Sequence, residues 1–294
     1  TVASVDLRHL AGQNFYLAWN YTGYSYFNDW KLDDILVRVQ PTLNPEASSI
    51  TYGQTLASSV ITGTAMYGET VVEGTFGFEN TAIAPASGVY TANVTFTPSD
   101  TTQYLGATGT VDVNINKAEA GISIEGLFFT YDGNAKQSTA TTDPVGLTVE
   151  LTYNENTELP VNAGNYDVVA TVVDDNYFGF ATAIMTIEKA AASVTLSNLN
   201  FVYDGTAKSA TSTIIPDGLT VDLTYDGSTQ SPVNAGDYDV VAVVNDVNYQ
   251  GSTTGVLTIN KATATIALSG LTHVFNGEGI QATATTTPAG LNVE

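Results

Sequence analysis

The chain has 294 residues, 43% of them hydrophobic, with no cysteine and a formal net charge of −22. That apolar content excludes general disorder, because there is enough surface to bury against the entropy of ordering the chain. The charge excludes a nucleic-acid partner, which needs a basic face, and opposes adsorption to anionic membranes. Without cysteine there are no disulfides, thiolate zinc sites or cysteine nucleophiles.

Residues 1–40 have a composition of their own, holding both tryptophans (Trp19, Trp30) and both arginines (Arg8, Arg38). Phe15, Tyr16, Trp19, Tyr21, Tyr24, Tyr26, Phe27 and Trp30 crowd one stretch of this segment. In a strand, half of such residues point into a core. Trp19, Tyr24, Tyr26 and Trp30 are the candidates for contact with a glycan, since sugar faces stack on aromatic rings. Asp33 and Asp34 follow directly and offer hard oxygen ligands, making them candidate calcium ligands.

Residues 41–118 read as one diverged unit. After it, 119–190 and 191–262 are near-copies that match at more than half of their positions, with no insertion or deletion. Tyr131/Tyr203, Lys136/Lys208, Gly164/Gly236, Tyr177/Tyr249 and Lys189/Lys261 each lie 72 residues apart. A third copy occupies 263–294 and stops at Glu294, partway through the unit. A fixed period of this kind marks a tandem array of small modules. The third copy is expected to leave apolar edges uncovered, and both ends of the chain read as cut.

Within each unit the signal is strand. Leu147, Val149, Leu151 and Tyr153 alternate with polar residues, as do Leu219, Val221, Leu223 and Tyr225, which predicts half-buried strands. A central strand begins at Tyr166 and again at Tyr238. Turn residues punctuate the runs at Asp132-Gly133, Asp204-Gly205, Asn162-Ala163-Gly164 and Asp226-Gly227. Six or seven short strands per unit predict an antiparallel sandwich. In Gly88-Val89-Tyr90, Gly164-Asn165-Tyr166 and Gly236-Asp237-Tyr238 the tyrosine can bury its ring and return its hydroxyl to the backbone, as in a tyrosine corner. The seams Asn116-Lys117-Ala118, Glu188-Lys189-Ala190 and Asn260-Lys261-Ala262 leave linkers of a residue or two, which imply a semi-rigid rod.

The segments Tyr131-Asp132-Gly133-Asn134-Ala135-Lys136 and Tyr203-Asp204-Gly205-Thr206-Ala207-Lys208, with the Asn-Ala-Gly-x-Tyr segments and the Lys-Ala seams, resemble the bacterial MBG/YDG repeats. These are Ig-like modules of large secreted or surface-attached proteins. Residues 41–118 are similar to a related bacterial Ig-like repeat, carrying Ile50-Thr51-Tyr52-Gly53-Gln54 and Val94-Thr95-Phe96-Thr97-Pro98. Residues 1–40 resemble the end of a jelly-roll domain of the MAM-like, cleaved-adhesin kind, through Leu10-Ala11-Gly12-Gln13 and Trp30-Lys31-Leu32-Asp33-Asp34-Ile35. The resemblance implies an all-β chain of tandem Ig-like antiparallel β-sandwich repeats in an elongated rod, with a jelly-roll remnant at its N-terminus.

Catalysis has little to build on. His9 and His273 sit in different modules, and His273 stands where Phe201 and Phe129 stand in the earlier copies, a packing position. Serine and threonine lack a positioned base. Asp174-Asp175-Asn176 and Asn245-Asp246-Asn248 are further candidate calcium loops. The repeated Lys136 and Lys208 raise the idea of an intramolecular isopeptide bond, although each follows an Asp-Gly turn and is expected to lie exposed near Asp132 or Asp204. Past residue 40 the basic residues are Lys117, Lys136, Lys189, Lys208 and Lys261, in just two registers of the repeat, against 26 acidic ones. The expected function is a non-catalytic stalk of an extracellular or cell-surface adhesin-like protein, without cofactor and without membrane insertion in this segment. Surface glycans or proteins are the expected partners. The alternatives are a carbohydrate- or protein-binding module acting through residues 1–40, and an accessory array of an extracellular enzyme.

Overall fold

The computed structural model describes residues 38–294. They form two compact units, the first reaching Ile124 and including 140–151 and 169–182, the second holding 125–139, 152–168 and everything from Ala183 onward. The described residues contain no α-helix, and none of their elements is a helix long and apolar enough to cross a membrane.

Residues 191–262, wholly inside the second unit, show how one repeat is built. Six of their strands form two sheets, and the seventh, Tyr249–Gln250, pairs with Ala190–Ala191. The larger runs Asn200–Val202, Ser252–Asn260, Gly236–Asn245, Thr220–Tyr225, and the smaller pairs Ser193–Ser197 with Thr211–Ile215. Gly236–Asn245 is the central strand, flanked on both sides in antiparallel register. Its alternation sets the layers: Val240 and Ala242 have no exposed surface, whereas Val241 and Val243 face outward. Val240 packs with Ala210, Tyr225, Leu257 and Ile259, and Leu196, Leu199, Phe201, Leu223 and Tyr238 close over this core.

The expected antiparallel sandwich has one departure. Asn200–Val202 pairs parallel to the last strand, Ser252–Asn260. Asn198, with φ 56°, lies between Asn200–Val202 and Ser193–Ser197 of the smaller sheet. Asn tolerates this left-handed conformation better than most residues, and Gly126 (φ 70°) holds the same place one repeat earlier. In residues 119–190, Phe128–Thr130 likewise lies parallel to Thr186–Glu188.

Residues 41–118, within the first unit, repeat the plan. Ile50–Thr51, Ala107–Asn116, Gly88–Pro98 and Gly74–Phe78 form one sheet, again opened by a parallel pair. Thr42–Ala47, Ile61–Tyr67 and Thr70–Val71 form the other. Ile50, Leu56, Val94, Val113 and Ile115 fill the space between. In 263–294 one antiparallel pair is present, Thr265–Ser269 with Thr283–Thr287. Ile266 and Leu268 are each 58% exposed and Phe275 87%, the uncovered apolar surface the sequence predicts. His273 is exposed as well.

Two tyrosines per repeat tie the core to the loops. The Tyr166 and Tyr238 hydroxyls donate to the backbone oxygens of Asn162 (2.8 Å) and Asn234 (2.9 Å), as expected for tyrosine corners. The equivalent Tyr90 packs against the first core. The second pair was not foreseen: the Tyr153 and Tyr225 hydroxyls accept the backbone N–H of Ser138 and Ala210, both at 2.9 Å. Tyr225 and Ala210 are almost fully buried, so no water can replace this bond. Tyr225→Phe should therefore leave an orphaned N–H and destabilise by about 1–3 kcal/mol, whereas Tyr238→Phe, which loses a bond near solvent, should cost about 0.5–1.5 kcal/mol. Urea unfolding of the two variants measures the ranking, and the reverse order would contradict this assignment.

Candidate functional site at the repeat seams

The recurring polar residues of the array converge at its seams. Each seam has a receiving surface on one repeat and an incoming loop from the next, and the two seams described in full lie inside one compact unit each.

The incoming loop is shaped by its own aspartate. Asp246 Oδ1 accepts the N–H of Asn248 (2.7 Å) and of Tyr249 (2.9 Å). Asp174 Oδ1 does the same for Asn176 (2.7 Å) and Tyr177 (3.0 Å). Such Asx turns fix a loop without help from regular structure. The turn then presents its remaining polar groups to the preceding repeat. Asn248 Oδ1 accepts the Ala163 N–H (2.8 Å), and its Nδ2 donates to Asn162 Oδ1 (3.1 Å). Lys189 Nζ donates to the Asp246 backbone oxygen (2.7 Å). The Tyr249 ring meets Tyr131 edge-on, with centroids 5.4 Å apart at 79°. Ala190–Ala191 pairs in parallel with Tyr249–Gln250, so the seam itself becomes a strand.

The other seam uses the same parts. The Ser87 N–H donates to Asn176 Oδ1 (2.9 Å), and the Ser87 hydroxyl donates to the Asp175 backbone oxygen. Lys117 Nζ donates to the Asp174 oxygen (2.6 Å), Tyr177 meets Tyr52 edge-on at 5.3 Å, and Ala118–Glu119 pairs with Tyr177–Phe178. A further parallel bridge joins Val39 to Tyr104, again beside an aspartate turn in which Asp100 Oδ1 accepts from Thr102. The hydroxyl and N–H of Thr102 hold the Asp100 carboxyl below its ordinary pKa.

Glycine permits the close approach. A Cβ on Gly251 would lie 2.2 Å from the Ala192 carbonyl oxygen, and one on Gly179 would lie 2.5 Å from that of Ala120. No side chain fits at either place.

A second lysine register braces the receiving surface from behind. Lys136 was expected to be exposed; instead its side chain is only 12% exposed, and that of Lys208 13%. Each ammonium sits 5.8 Å over a phenylalanine ring, Phe129 or Phe201, which covers the aliphatic stem. Lys136 pairs with Asp132 at 2.6 Å, and Lys208 pairs with Asp204 in the same way. These bonds, with the backbone N–H of Asn134 or the hydroxyl and N–H of Thr206, hold both carboxyls below the ordinary aspartate range. An ionised, exposed carboxylate is a poor electrophile, and this arrangement gives isopeptide formation no support. The backbone N–H of Lys136 and Lys208 then bonds to Pro160 O and Pro232 O (2.8 Å each), fixing the loop that carries Asn162 or Asn234.

The loops picked as calcium sites thus have another use. Their carboxylate, amide and backbone oxygens accept protein N–H, O–H and ammonium groups, and no cluster of three or more potential metal-ligating His, Asp or Glu occurs among the described residues. Asp33, Asp34, Trp19, Tyr24, Tyr26, Trp30 and His9 lie outside the described residues. Sequence reasoning found Tyr177/Tyr249 and both lysine registers. It named Asn176 and Asn248 as calcium ligands and missed their docking role, although Asp-x-Asn-Tyr followed by x-Gly recurs at 174–179 and 246–251.

Two facing sheets in residues 41–118 and again in 191–262, with the chain passing from one sheet to the other near the start of each, define tandem β-sandwich modules of Ig type. Residues 120–191, 192–263 and 264–294 match the family model described as MBG domain, well over half of the sequence. The chain belongs to the MBG domain family. No curated protein matches it in sequence. Similar solved structures include the I9–I11 tandem from titin, at TM-score 0.31 and 9% identity, covering 76% of this chain and 100% of that one. Sidekick-1 immunoglobulin domains 1–5 align at TM-score 0.30 and 10% identity, over 76% of this chain and 59% of that one. Fibronectin(III)-like modules of Clostridium thermocellum CbhA align at 0.22 and 14% identity, over 54% and 100%.

Asn248→Ala removes the acceptor of the Ala163 N–H while leaving the aspartate turn intact. The loss should be about 1–2 kcal/mol locally, so the Ala163 amide should exchange roughly tenfold or more faster. Hydrogen exchange read by NMR checks this, and an unchanged Ala163 rate would remove Asn248 from the seam.

Proposed function

We propose that this chain is a non-catalytic spacer segment of a secreted or surface-attached, adhesin-like bacterial protein, holding a distal binding domain away from the cell. The observation that carries the reading is the repetition of one latched seam. Two junctions use the same lysine, asparagine and tyrosine pair, together with a parallel strand, where a flexible tether would have left polar linker. Fixed junctions suit a part whose task is to set distance. The acidic surface, with 26 of the 30 carboxylates past residue 40, supports solubility in an exposed setting. No group of three or more His, Asp or Glu that could hold a metal ion occurs among the described residues.

A second reading places recognition of a surface glycan or protein in residues 1–40, favoured by their aromatic crowding and by Asp33-Asp34 as calcium ligands. Binding of the full chain to a glycan array, with and without calcium, would bring that reading forward.

The spacer reading is tested by deleting one period, residues 191–262, in frame. Small-angle scattering should show the maximum dimension falling by roughly 30–40 Å, about the span of a ten-residue strand. An unchanged maximum dimension would contradict a spacing role.

A further inference from the structure

The receiving surface occurs a third time, around Lys261. Its residues are those of the Lys189 seam, type for type: Tyr203 for Tyr131, Asn234 for Asn162, Ala235 for Ala163, Lys261 for Lys189 and Ala262 for Ala190. They line one shallow hollow, bordered by Pro288 and Leu291. Their exposure differs from that of their counterparts. Tyr131, Ala163 and Ala190 are half-buried, whereas Ala235 and Ala262 are exposed and Tyr203 is 41% exposed.

The surface is also held in the docked geometry by the same internal bonds. Tyr203 N–H donates to Asn260 O (2.9 Å), as Tyr131 N–H does to Glu188 O (2.8 Å). Lys208 N–H donates to Pro232 O and the Tyr238 hydroxyl to Asn234 O, as Lys136 and Tyr166 do one repeat earlier. A site already ordered loses little conformational freedom when it is filled.

We propose that Tyr203, Asn234, Ala235 and Lys261 form a docking site for the Asp-x-Asn-Tyr loop of a further MBG repeat, one joined through the Lys261-Ala262 seam. The asparagine amide would take the Ala235 N–H and the Asn234 side chain, the aspartate backbone oxygen would take Lys261 Nζ, and the tyrosine ring would meet Tyr203 edge-on. Both filled seams show the amide, lysine and ring contacts, and the Lys189 seam adds the bond between asparagine side chains. The set comprises a few hydrogen bonds and one ring pair, too little for tight association between separate molecules. Linkage raises the loop to millimolar effective concentration, which such contacts need. The inference holds whether or not the array acts as a spacer.

The test appends the sequence of residues 223–262 after Glu294, which continues the repeat in register, and follows amide exchange in the whole protein. Ala235 and Ala262 should become at least about tenfold more protected, approaching Ala163 and Ala190, and changing the new loop's asparagine to alanine should return Ala235 to its former rate. Protected strand amides in the appended repeat, with Ala235 still exchanging as before, would overturn the proposal. Should the appended repeat stay unprotected, the 294-residue chain is titrated with a synthetic peptide of the sequence Val244–Gly251 to about 5 mM, in the range of a linked loop. Saturable NMR shifts at Tyr203, Asn234 and Ala235 support the site, and their absence overturns it. Self-association of the 294-residue chain that Tyr203→Ala abolishes would also overturn the proposal, by assigning the surface to a second copy.

Discussion

The hydrogen bond from the Ala163 N–H to the Asn248 side chain joins two repeats that each already have a core. What makes it specific is the shape of the loop. Asp246 closes the turn on the N–H groups of Asn248 and Tyr249, and in the closed turn Asn248 bonds to Asn162 and Ala163 while Tyr249 meets Tyr131. Lys189 donates to the Asp246 backbone oxygen. Every member of the set depends on the same short run of residues. The Asp174–Tyr177 loop has the same internal bonds and meets its own receiving surface in the same way.

The energetic hierarchy separates folding from joining. Burying Val240, Leu257 or Ile259 contributes about 1.5–3 kcal/mol each, so the core decides whether a repeat folds. Exposed ion pairs contribute about 0–1 kcal/mol, and Lys136 and Lys208 act mainly by position. Each lies over an aromatic ring, grips the Asp-Gly turn and fixes the loop at Pro160 or Pro232. Seam bonds of intermediate strength make neighbours interdependent without merging their cores, as expected of a repeat array with nearest-neighbour coupling.

Much of the fold was legible in the sequence because its signals are local. Alternation at Val221, Leu223 and Tyr225 follows directly from the two-residue period of a strand, and Gly-x-Tyr places the corner tyrosine by sequence spacing. The parallel pairing of Asn200–Val202 was not legible, since its partner strand, Ser252–Asn260, lies at the far end of the repeat and nothing local in the sequence states the pairing. Nor was the burial of Lys136, because nothing in a Tyr-Asp-Gly-x-Ala-Lys run shows that Phe129 lies beneath the ammonium. The oxygen-rich loops pointed to calcium for the same reason. Asp174, Asp175 and Asn176 are good ligands by type, but whether an oxygen meets a cation or an N–H depends on residues 57 to 89 positions away.

The account stands on the claim that these contacts fix one repeat against the next across Lys189. Amide residual dipolar couplings of the 294-residue chain test it most directly, comparing residues 125–139 and 152–168 with residues 191–260 on the other side of the seam. A single alignment tensor fitting both sets is the result predicted. Two independent tensors, with the couplings of one set scaled down by motion about Lys189-Ala190, would contradict it.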